Sequence, residues 1–463
     1  MKDSIFREYD IRGRIGSEFD LSQVYALGKA IAYYFLDQDK ITVKTVALAM
    51  DGRIDSPFIK KELARAFQDS GLNTLFIGVC PTPVLYFALH MLPVQAGVMI
   101  TASHNNKEFN GLKICLGKDA LWGQEIEKIK NMYKSGSQRK SLFTGSYQES
   151  QLVDQYINWL ASQFSHLKNS TVPLIIDCGN GATGVIIPEL IKKLGLENVQ
   201  VMYEQIDGNF PNHEPDPAVI DNMHELKNNV ISKRVLGIGF DGDGDRMVPI
   251  SQSGNLILGD KLVALFAQDI TQKRASVSVV FDIKCSASLT ELLDSWGARG
   301  LMVPSGHSII KHHMKKNSAL LGGELSCHFF FADRYFGYDD GIYAALRLYE
   351  LMVEKKQENL DILLDFFPVL VSTPEIRVPL QAQTRTEILQ SAQKFFEQKT
   401  QAQICTIDGI RVTLSYGWGL VRFSNTQPVL SLRFEAATQE GLKQIQKDFY
   451  GALQDHIDIR EFE

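Results

Sequence analysis

Short apolar runs free of charge, each followed by a turn and an amphipathic stretch, recur along the chain up to about residue 367. This alternation restricts the fold more than any other feature, because a strand with no polar face needs cover on both sides and the intervening helices supply it. In the first unit Asp20 caps a helix whose apolar stripe is Val24, Leu27, Ile31 and Phe35, and the run Val43–Met50 follows as a strand. Ser56 and Pro57 open a second helix that Gly71 closes, and TLFIGV and GVMI supply two more strands. After a polar stretch, Lys134–Ser150, the pattern restarts with a helix, VPLIID, a glycine-rich turn, a helix, VQVMYE and RVLGIGF. A third unit begins at the helix after Gly259 and continues with VSVVFDI, a helix from Ser286, and GLMVP. From about Pro368 the order changes to the strands EIRVPL, GIRVTL, GLVRF and VLSLRFEA with helices between and after them. The expectation is α/β: three consecutive mixed α/β domains with largely parallel sheets (1–150, 151–253, 254–367) and a C-terminal α+β domain (368–463). A chain of 463 residues has room for this, at roughly 150 residues per domain.

Charge narrows the partners. With 48 basic and 54 acidic residues the formal charge is −6, which leaves no basic footprint for nucleic acid or an anionic membrane. Any anionic ligand must be held by a local site. Six dispersed cysteines without a C-x-x-C pair argue against a zinc ribbon or a disulfide framework, and the charged N-terminus lacks the apolar centre of a signal peptide, so a cytoplasmic protein is expected. The uncharged stretch Ser70–Asn106 is cut by Pro81, Pro83 and Pro93 below the roughly 20 residues of a membrane span and reads as strand, turn, helix, strand.

Several motifs offer chemistry. Gly179-Asn-Gly181-Ala-Thr-Gly184 lies between a strand and a helix, with Glu204 about twenty residues on, which is the context of a dinucleotide-binding fingerprint; a tight turn with close packing is the alternative. Asp241-Gly-Asp243-Gly-Asp245-Arg246 follows a strand. Three carboxylates so close repel one another unless a divalent cation joins them, and oxygen-only donors select Mg²⁺ or Ca²⁺ over zinc. An EF-hand is excluded, since Arg246 and Gln252 stand where its glycine and bidentate glutamate belong. Thr101-Ala-Ser103-His104-Asn105-Asn106 places a serine at a strand end beside an imidazole, with Lys113 shortly after, and reads as a nucleophile site or a polar turn. Gly322-Gly-Glu324-Leu-Ser326-Cys327-His328 groups a carboxylate, a hydroxyl and an imidazole suited to sugar hydroxyls, and Arg422-Phe-Ser424-Asn425-Thr426-Gln427-Pro428 suits a phosphate dianion.

In this order, one per expected domain, the motifs resemble those of the phosphomannomutase/phosphoglucomutase family of the α-D-phosphohexomutase superfamily, from FREYDIRG at Phe6–Gly13 to RFEA at Arg433–Ala436. The resemblance implies four domains around a central active-site cleft and a phosphohexomutase interconverting hexose 1-phosphate and hexose 6-phosphate, of mannose, glucose or both. The route would run through a phosphoserine and a 1,6-bisphosphosugar. It implies Ser103 as the phosphoserine, and Asp241, Asp243 and Asp245 as Mg²⁺ ligands together with the Ser103 phosphate. By the same resemblance Tyr9, Arg12, His104, Lys113, Arg246 and His307 look like the polar shell of the active site, with Lys284 beside it. Glu324, Ser326 and His328 belong to the sugar loop, and Arg422, Ser424, Asn425 and Thr426 hold the distal phosphate. Glucose 1,6-bisphosphate, or its mannose analogue, is the implied activator, the phosphosugar the only implied partner, and a monomer the implied state. The glycine-rich turn is then structural. Cys327 stands where the family has glycine and threatens to crowd the sugar. A phosphoglucosamine mutase is the alternative within the superfamily; a metal-dependent sugar phosphatase, an NAD-dependent oxidoreductase and a noncatalytic sugar-phosphate binder are the alternatives outside it.

Overall fold

A computed structural model describes residues 1–137, 141–379, 385–423 and 429–456. The first sheet runs in the order Ile11–Arg14, Phe109–Leu116, Ala96–Ile100, Thr45–Met50, Asn73–Val79 and Tyr147–Glu149. Its centre is parallel, while Phe109–Leu116 is antiparallel to both of its neighbours in that order. The second sheet, Met247–Ile250, Leu236–Phe240, Leu174–Asp177 and Val199–Met202, and the third, Arg299–Val303, Ser278–Asp282, Leu321–Gly323 and Phe329–Phe331, are parallel except for one antiparallel edge strand each. The C-terminal sheet is antiparallel throughout. The expected α/β, α/β, α/β, α+β series is therefore the fold.

Local signals act as expected, with two corrections. Asp20 accepts the Ser22 N–H at 2.9 Å and caps the short 3₁₀ turn Leu21–Gln23, which feeds the helix Val24–Leu36; Val24, Leu27, Ile31 and Phe35 are fully buried. The stretch Lys134–Ser150, read as a polar boundary, carries the strand Tyr147–Glu149, which adds to the first sheet beside Asn73–Val79. The dinucleotide alternative fails on space. A Cβ on Gly184 would stand 1.8 Å from the Glu204 carbonyl oxygen, and the Ala182 N–H is spent on the Gly242 carbonyl at 2.9 Å, so protein backbone fills the place a pyrophosphate would need. Among the described residues no helix is long and apolar enough to cross a membrane.

One apolar core runs through the first three units. Phe87 from the helix Thr82–Met91, Tyr156 from Leu152–Gln163, Phe266 from Gly259–Lys273 and Tyr343 from Gly341–Glu354 all belong to it. At about 25 cal/mol per Å² buried, such shared area makes the three units mutually dependent. The fourth unit has its own core around Phe396, Phe434 and Phe449 and meets the third through a small cluster of Ile283, Trp418 and Leu420.

A buried carboxylate, Asp340, lies at the junction of the second and third units. Asp340 caps the helix Gly341–Glu354 by accepting the Tyr343 N–H at 2.9 Å, and it also accepts the hydroxyls of Tyr335 at 2.7 Å and Tyr156 at 2.8 Å. Burial outweighs these bonds and pushes its carboxyl from 3.8 up to about 6. A carboxyl whose pKa is raised by folding stabilises the protein most below its unfolded value, and that contribution is lost as pH rises through the folded one. The window is pH 3.8 to about 6, and the loss is about 3 kcal/mol at 1.4 kcal/mol per unit. In thermal melts of wild type and Asp340→Asn from pH 4 to 7, the difference in Tm should move against the wild type up to about pH 6 and then level. Parallel pH profiles would refute the assignment.

Candidate active site

Ser103 follows the strand Ala96–Ile100 in a turn whose backbone is left-handed there, at φ +49°. Its N–H is held by Thr101 Oγ1 at 2.8 Å, and its own hydroxyl donates to Asp241 Oδ2 at 2.8 Å. Such a conformation costs about 1–3 kcal/mol and persists only where neighbours enforce it. Arg53 is the enforcer. Its guanidinium, 2% exposed, donates to the carbonyls of Ser103 (2.7 Å), Asn106 (2.7 Å), Phe109 (2.9 Å) and Asn105, and is itself held by Asp51 at 3.1 Å. Sequence reasoning missed this pair, although Asp51-Gly-Arg53 follows a buried strand just as the triple-Asp loop does.

Asp241, Asp243 and Asp245 follow the strand Leu236–Phe240 and are fully buried, with oxygens within 4.8 Å of one another. Lys113, from the first sheet, pairs with Asp243 at 2.9 Å and with Asp245, and Thr82 donates to Asp243 Oδ2 at 2.5 Å. Burial, reinforced by Asp245 and Asp243, holds the Asp241 carboxyl well above the usual range. Burial pushes Asp245 the same way, but Lys113 and His328 overcome it and hold that carboxyl well below. Asp243 Oδ1 is buried without a hydrogen-bond partner. The donor set is oxygen only, carries more negative charge than Lys113 cancels, and contains an unused buried oxygen; it fits a hard divalent cation.

The hairpin between Leu321–Gly323 and Phe329–Phe331 brings Glu324, Ser326 and His328 to the same place. His328 lies 2.9 Å from Glu324 Oε2 through Nδ1 and 3.2 Å from Asp245 Oδ1 through Nε2. Burial opposes its charge, but Asp245 prevails and raises the imidazole to about 9, so it is an imidazolium bridging two units. Cys327 takes the left-handed backbone at φ +67° and turns its side chain into the apolar core, with its thiol 3.8 Å from the Ile257 carbonyl. The expected crowding of the sugar loop by Cys327 is thereby corrected: the side chain points away from the cleft.

The remaining residues close a cleft of about 560 Å³ lined by Tyr9, Arg12, Ser103, His104, Lys113, Arg246, Lys284, His307, Glu324, Ser326, His328 and Arg422. All four units contribute. Arg12 pairs with Asp10 and donates to Asn105 Oδ1 at 2.7 Å; His104 Nδ1 lies 3.0 Å from Asp216 Oδ2; and His307 Nδ1 lies 3.4 Å from Asp339, which Lys311 also binds at 2.7 Å. Burial, with Arg246, lowers His104 to about 4, and burial, with Lys311, lowers His307, so both imidazoles are neutral near pH 7. Lys284 lies 3.5 Å from Asp282, and Arg422 pairs with Asp408 at 2.9 Å. Ser424, Asn425 and Thr426 lie outside the described residues. Asp10, Asp216, Asp282, Asp339 and Asp408, the carboxylates that orient the cations and imidazoles, were not among the sequence candidates: Asp216, Asp339 and Asp408 sit outside the motif of the residue they serve, and Asp10 and Asp282, although close in sequence to Arg12 and Lys284, carry no signal that tells them from ordinary loop acids.

The chain matches the phosphoglucomutase/phosphomannomutase family throughout: alpha/beta/alpha domain I at residues 3–140, domain II at 154–254, domain III at 258–369 and the C-terminal domain at 375–452. It is 40% identical to the phosphomannomutase/phosphoglucomutase of Pseudomonas syringae pv. tomato over 454 residues, 98% of this chain and 96% of that one. It is 36% identical to the phosphoglucomutase of Neisseria meningitidis serogroup A over 461 residues, 98% of each. The crystal structure of a phosphoglucomutase/phosphomannomutase family protein from Burkholderia thailandensis superposes with a TM-score of 0.91 at 32% identity, covering 99% of both chains. The chain belongs to the phosphoglucomutase/phosphomannomutase family. It is a hexose phosphate mutase, an isomerase that moves a phosphoryl group within one sugar phosphate.

Arg53→Lys keeps the charge under the serine turn but cannot reach four carbonyls at once. Because displacements of about 1 Å cost on the order of 100-fold in rate, turnover should fall at least tenfold with KM within about threefold. Unchanged turnover would show that the turn holds itself.

Proposed function

We propose that Ser103 is the phosphoryl carrier of this mutase and that each domain, in the division 1–150, 151–253, 254–367 and 368–463, supplies one loop to the reaction. The observation that carries the reading is the Ser103 hydroxyl 2.8 Å from Asp241, in a buried loop of three carboxylates that already holds Lys113. In the first half-reaction the bond between phosphorus and Ser103 Oγ breaks as a bond forms to the free hydroxyl oxygen of the hexose monophosphate, giving the 1,6-bisphosphate. The intermediate turns over in the cleft, and its other phosphoryl group returns to Ser103.

Asp241, Asp243 and Asp245, with the Ser103 phosphate, would hold Mg²⁺, which offsets negative charge on the transferring group. Arg12, Lys113 and Arg246 face the same group with fixed positive charge. The sugar hydroxyl must lose a proton as it attacks, and His104, whose Nδ1 is engaged by Asp216, leaves Nε2 to take it. Glu324 and Ser326 read sugar hydroxyls beside the charged His328. Arg422, with Ser424, Asn425 and Thr426, anchors the phosphate that is not reacting, and Tyr9, Lys284 and His307 complete the wall. The anchor must serve both orientations of the sugar, which is why it stands on a domain with a core of its own. A small amount of glucose 1,6-bisphosphate, or the mannose analogue, keeps Ser103 phosphorylated when an intermediate escapes. A cytoplasmic monomer completes the reading.

Conversion of glucose 1-phosphate to glucose 6-phosphate with Mg²⁺ and catalytic glucose 1,6-bisphosphate, in wild type and Ser103→Ala, is the test. The variant should lose turnover by at least a thousandfold and take up no label from the bisphosphate, while its melting curve stays within a few degrees of wild type. Near-normal turnover would reject a covalent route.

Glucose and mannose 1-phosphates differ only at the 2-hydroxyl. A site that hydrogen-bonds a hydroxyl discriminates by about 10⁴ or more, but only at the hydroxyl it contacts. On the family resemblance Glu324 and Ser326 read the 3- and 4-hydroxyls, and Cys327 faces the core, so both hexoses should be used with kcat/KM within about a hundredfold. N-acetylglucosamine 1-phosphate should be the poorest of the three. A clear preference for the amino sugar would favour the phosphoglucosamine alternative.

A further inference from the structure

Three domains meet at two consecutive residues, Ser305 and Gly306. The Ser305 N–H donates to Asp408 Oδ2 at 3.2 Å, and the next N–H, that of Gly306, donates to Glu324 Oε1 at 2.8 Å. Tyr9, from the first domain, donates its hydroxyl to the Ser305 carbonyl, and the Ser305 hydroxyl donates to Asp282 Oδ2 at 2.8 Å. Only glycine fits at the second position: its φ is +140°, and a Cβ there would stand 2.4 Å from the Tyr9 ring. Asp408 Oδ2 also accepts from Arg422 Nε at 2.9 Å and lies 2.9 Å from Nη2. A short rigid path therefore runs from the Arg422 guanidinium through Asp408, Ser305 and Gly306 to Glu324. Asp408 is largely buried, as is Arg422, and both lie where the fourth domain crosses onto the third.

We propose that Asp408 is a positioning residue that sets the distance between the phosphate anchor and the sugar-hydroxyl reader, and so selects the length of sugar phosphate that the cleft accepts. The proposal rests on the reading of Arg422 as phosphate anchor and Glu324 as hydroxyl reader. Asp408 engages Nε and Nη2, which among the described residues leaves the Nη1 end of the guanidinium for a phosphate, and by sharing its oxygen with Ser305 it fixes that end relative to Glu324. A hexose phosphate spans the two groups when the strut is in place. Ribose 1-phosphate is a five-membered ring whose O4 is the ring oxygen, so with its phosphate on Arg422 it presents its hydroxyls at a different distance and leaves Glu324 partly unmet. Without the strut the fourth domain can settle to either length.

The test compares kcat/KM for glucose 1-phosphate and ribose 1-phosphate in wild type, Asp408→Ala, Asp408→Glu and Arg422→Ala. Wild type should favour the hexose strongly. In Asp408→Ala the ratio of hexose to pentose should fall at least tenfold, with KM for glucose 1-phosphate raised about tenfold and kcat changed less. Asp408→Glu restores the carboxylate on a side chain one methylene longer, so KM for glucose 1-phosphate should return toward the wild type while the ratio falls between those of wild type and Asp408→Ala. General destabilisation lowers both activities together and leaves the ratio unmoved, so an unchanged ratio in a folded Asp408→Ala protein would overturn the proposal. If instead Arg422→Ala leaves KM for glucose 1-phosphate unchanged, the anchor reading itself is wrong. A raised KM in Arg422→Ala beside an unchanged ratio in Asp408→Ala defeats the strut alone.

Discussion

Three carboxylates, each fully buried, share a space less than 5 Å across. Two like charges 4 Å apart repel by about 4 kcal/mol at an effective dielectric of 20, and burial adds a desolvation cost for each. The second domain, which carries all three, contributes only Arg246 as compensation within the loop. Lys113 comes from the first domain and His328 from the third. The acidic loop therefore requires both neighbours in place, and the apolar core that the three domains share holds them there. The same imbalance keeps Asp241 from ionising readily and leaves an oxygen of Asp243 unused, the two features that suit the loop to a cation.

Strain collects around the same cleft. Ser103 and Cys327 both take left-handed backbone, one at a strand end and one in a hairpin turn, and Gly306 has a φ that favours glycine. Each is enforced from outside its own loop: Ser103 by Arg53, Gly306 by the contacts of Ser305 with Tyr9 and Asp408, and Cys327 by the packing of its side chain among core residues. A side chain at a position made for glycine is tolerable when it points into the core and leaves the ligand side open. The cost is local, and the cleft keeps its shape.

The fourth domain is joined differently. In place of a continuous core it meets the third domain through a few apolar side chains and a set of buried arginines. Arg411 donates to the Cys285 carbonyl at 2.8 Å and lies 3.8 Å from the centre of the Trp418 ring, while Arg433 binds the Lys284 carbonyl. Directional contacts of this kind specify one arrangement while burying little apolar area, so the domain can carry an anchor without becoming part of the rigid core.

Most of the order of strands and helices, the change to an α+β last domain, and the loops where chemistry is concentrated can be read along the chain. These are local properties: buried strands lack charge, helices repeat every three to four residues, and Asp241 to Asp245, Glu324 to His328 and Arg422 each lie within one short motif. Even the short strand in Lys134–Ser150 escaped because three residues carry too little pattern to read. Which groups orient the motifs emerges only on folding. Arg53 acts on Ser103 across 50 positions, Asp216 on His104 across 112, and Asp245 on Lys113 across 132. A lone aspartate or arginine on a polar loop has no periodicity to mark it, and its meaning comes from the partner that folding brings within 3 Å. The glycine-rich turn shows the converse, since a spacing that admits a pyrophosphate in one fold is filled by the Glu204 and Gly242 backbone in this one. Local sequence patterns select the elements, and long-range packing assigns their partners, because hydrogen bonds and ion pairs depend on distance in space and not on separation along the chain.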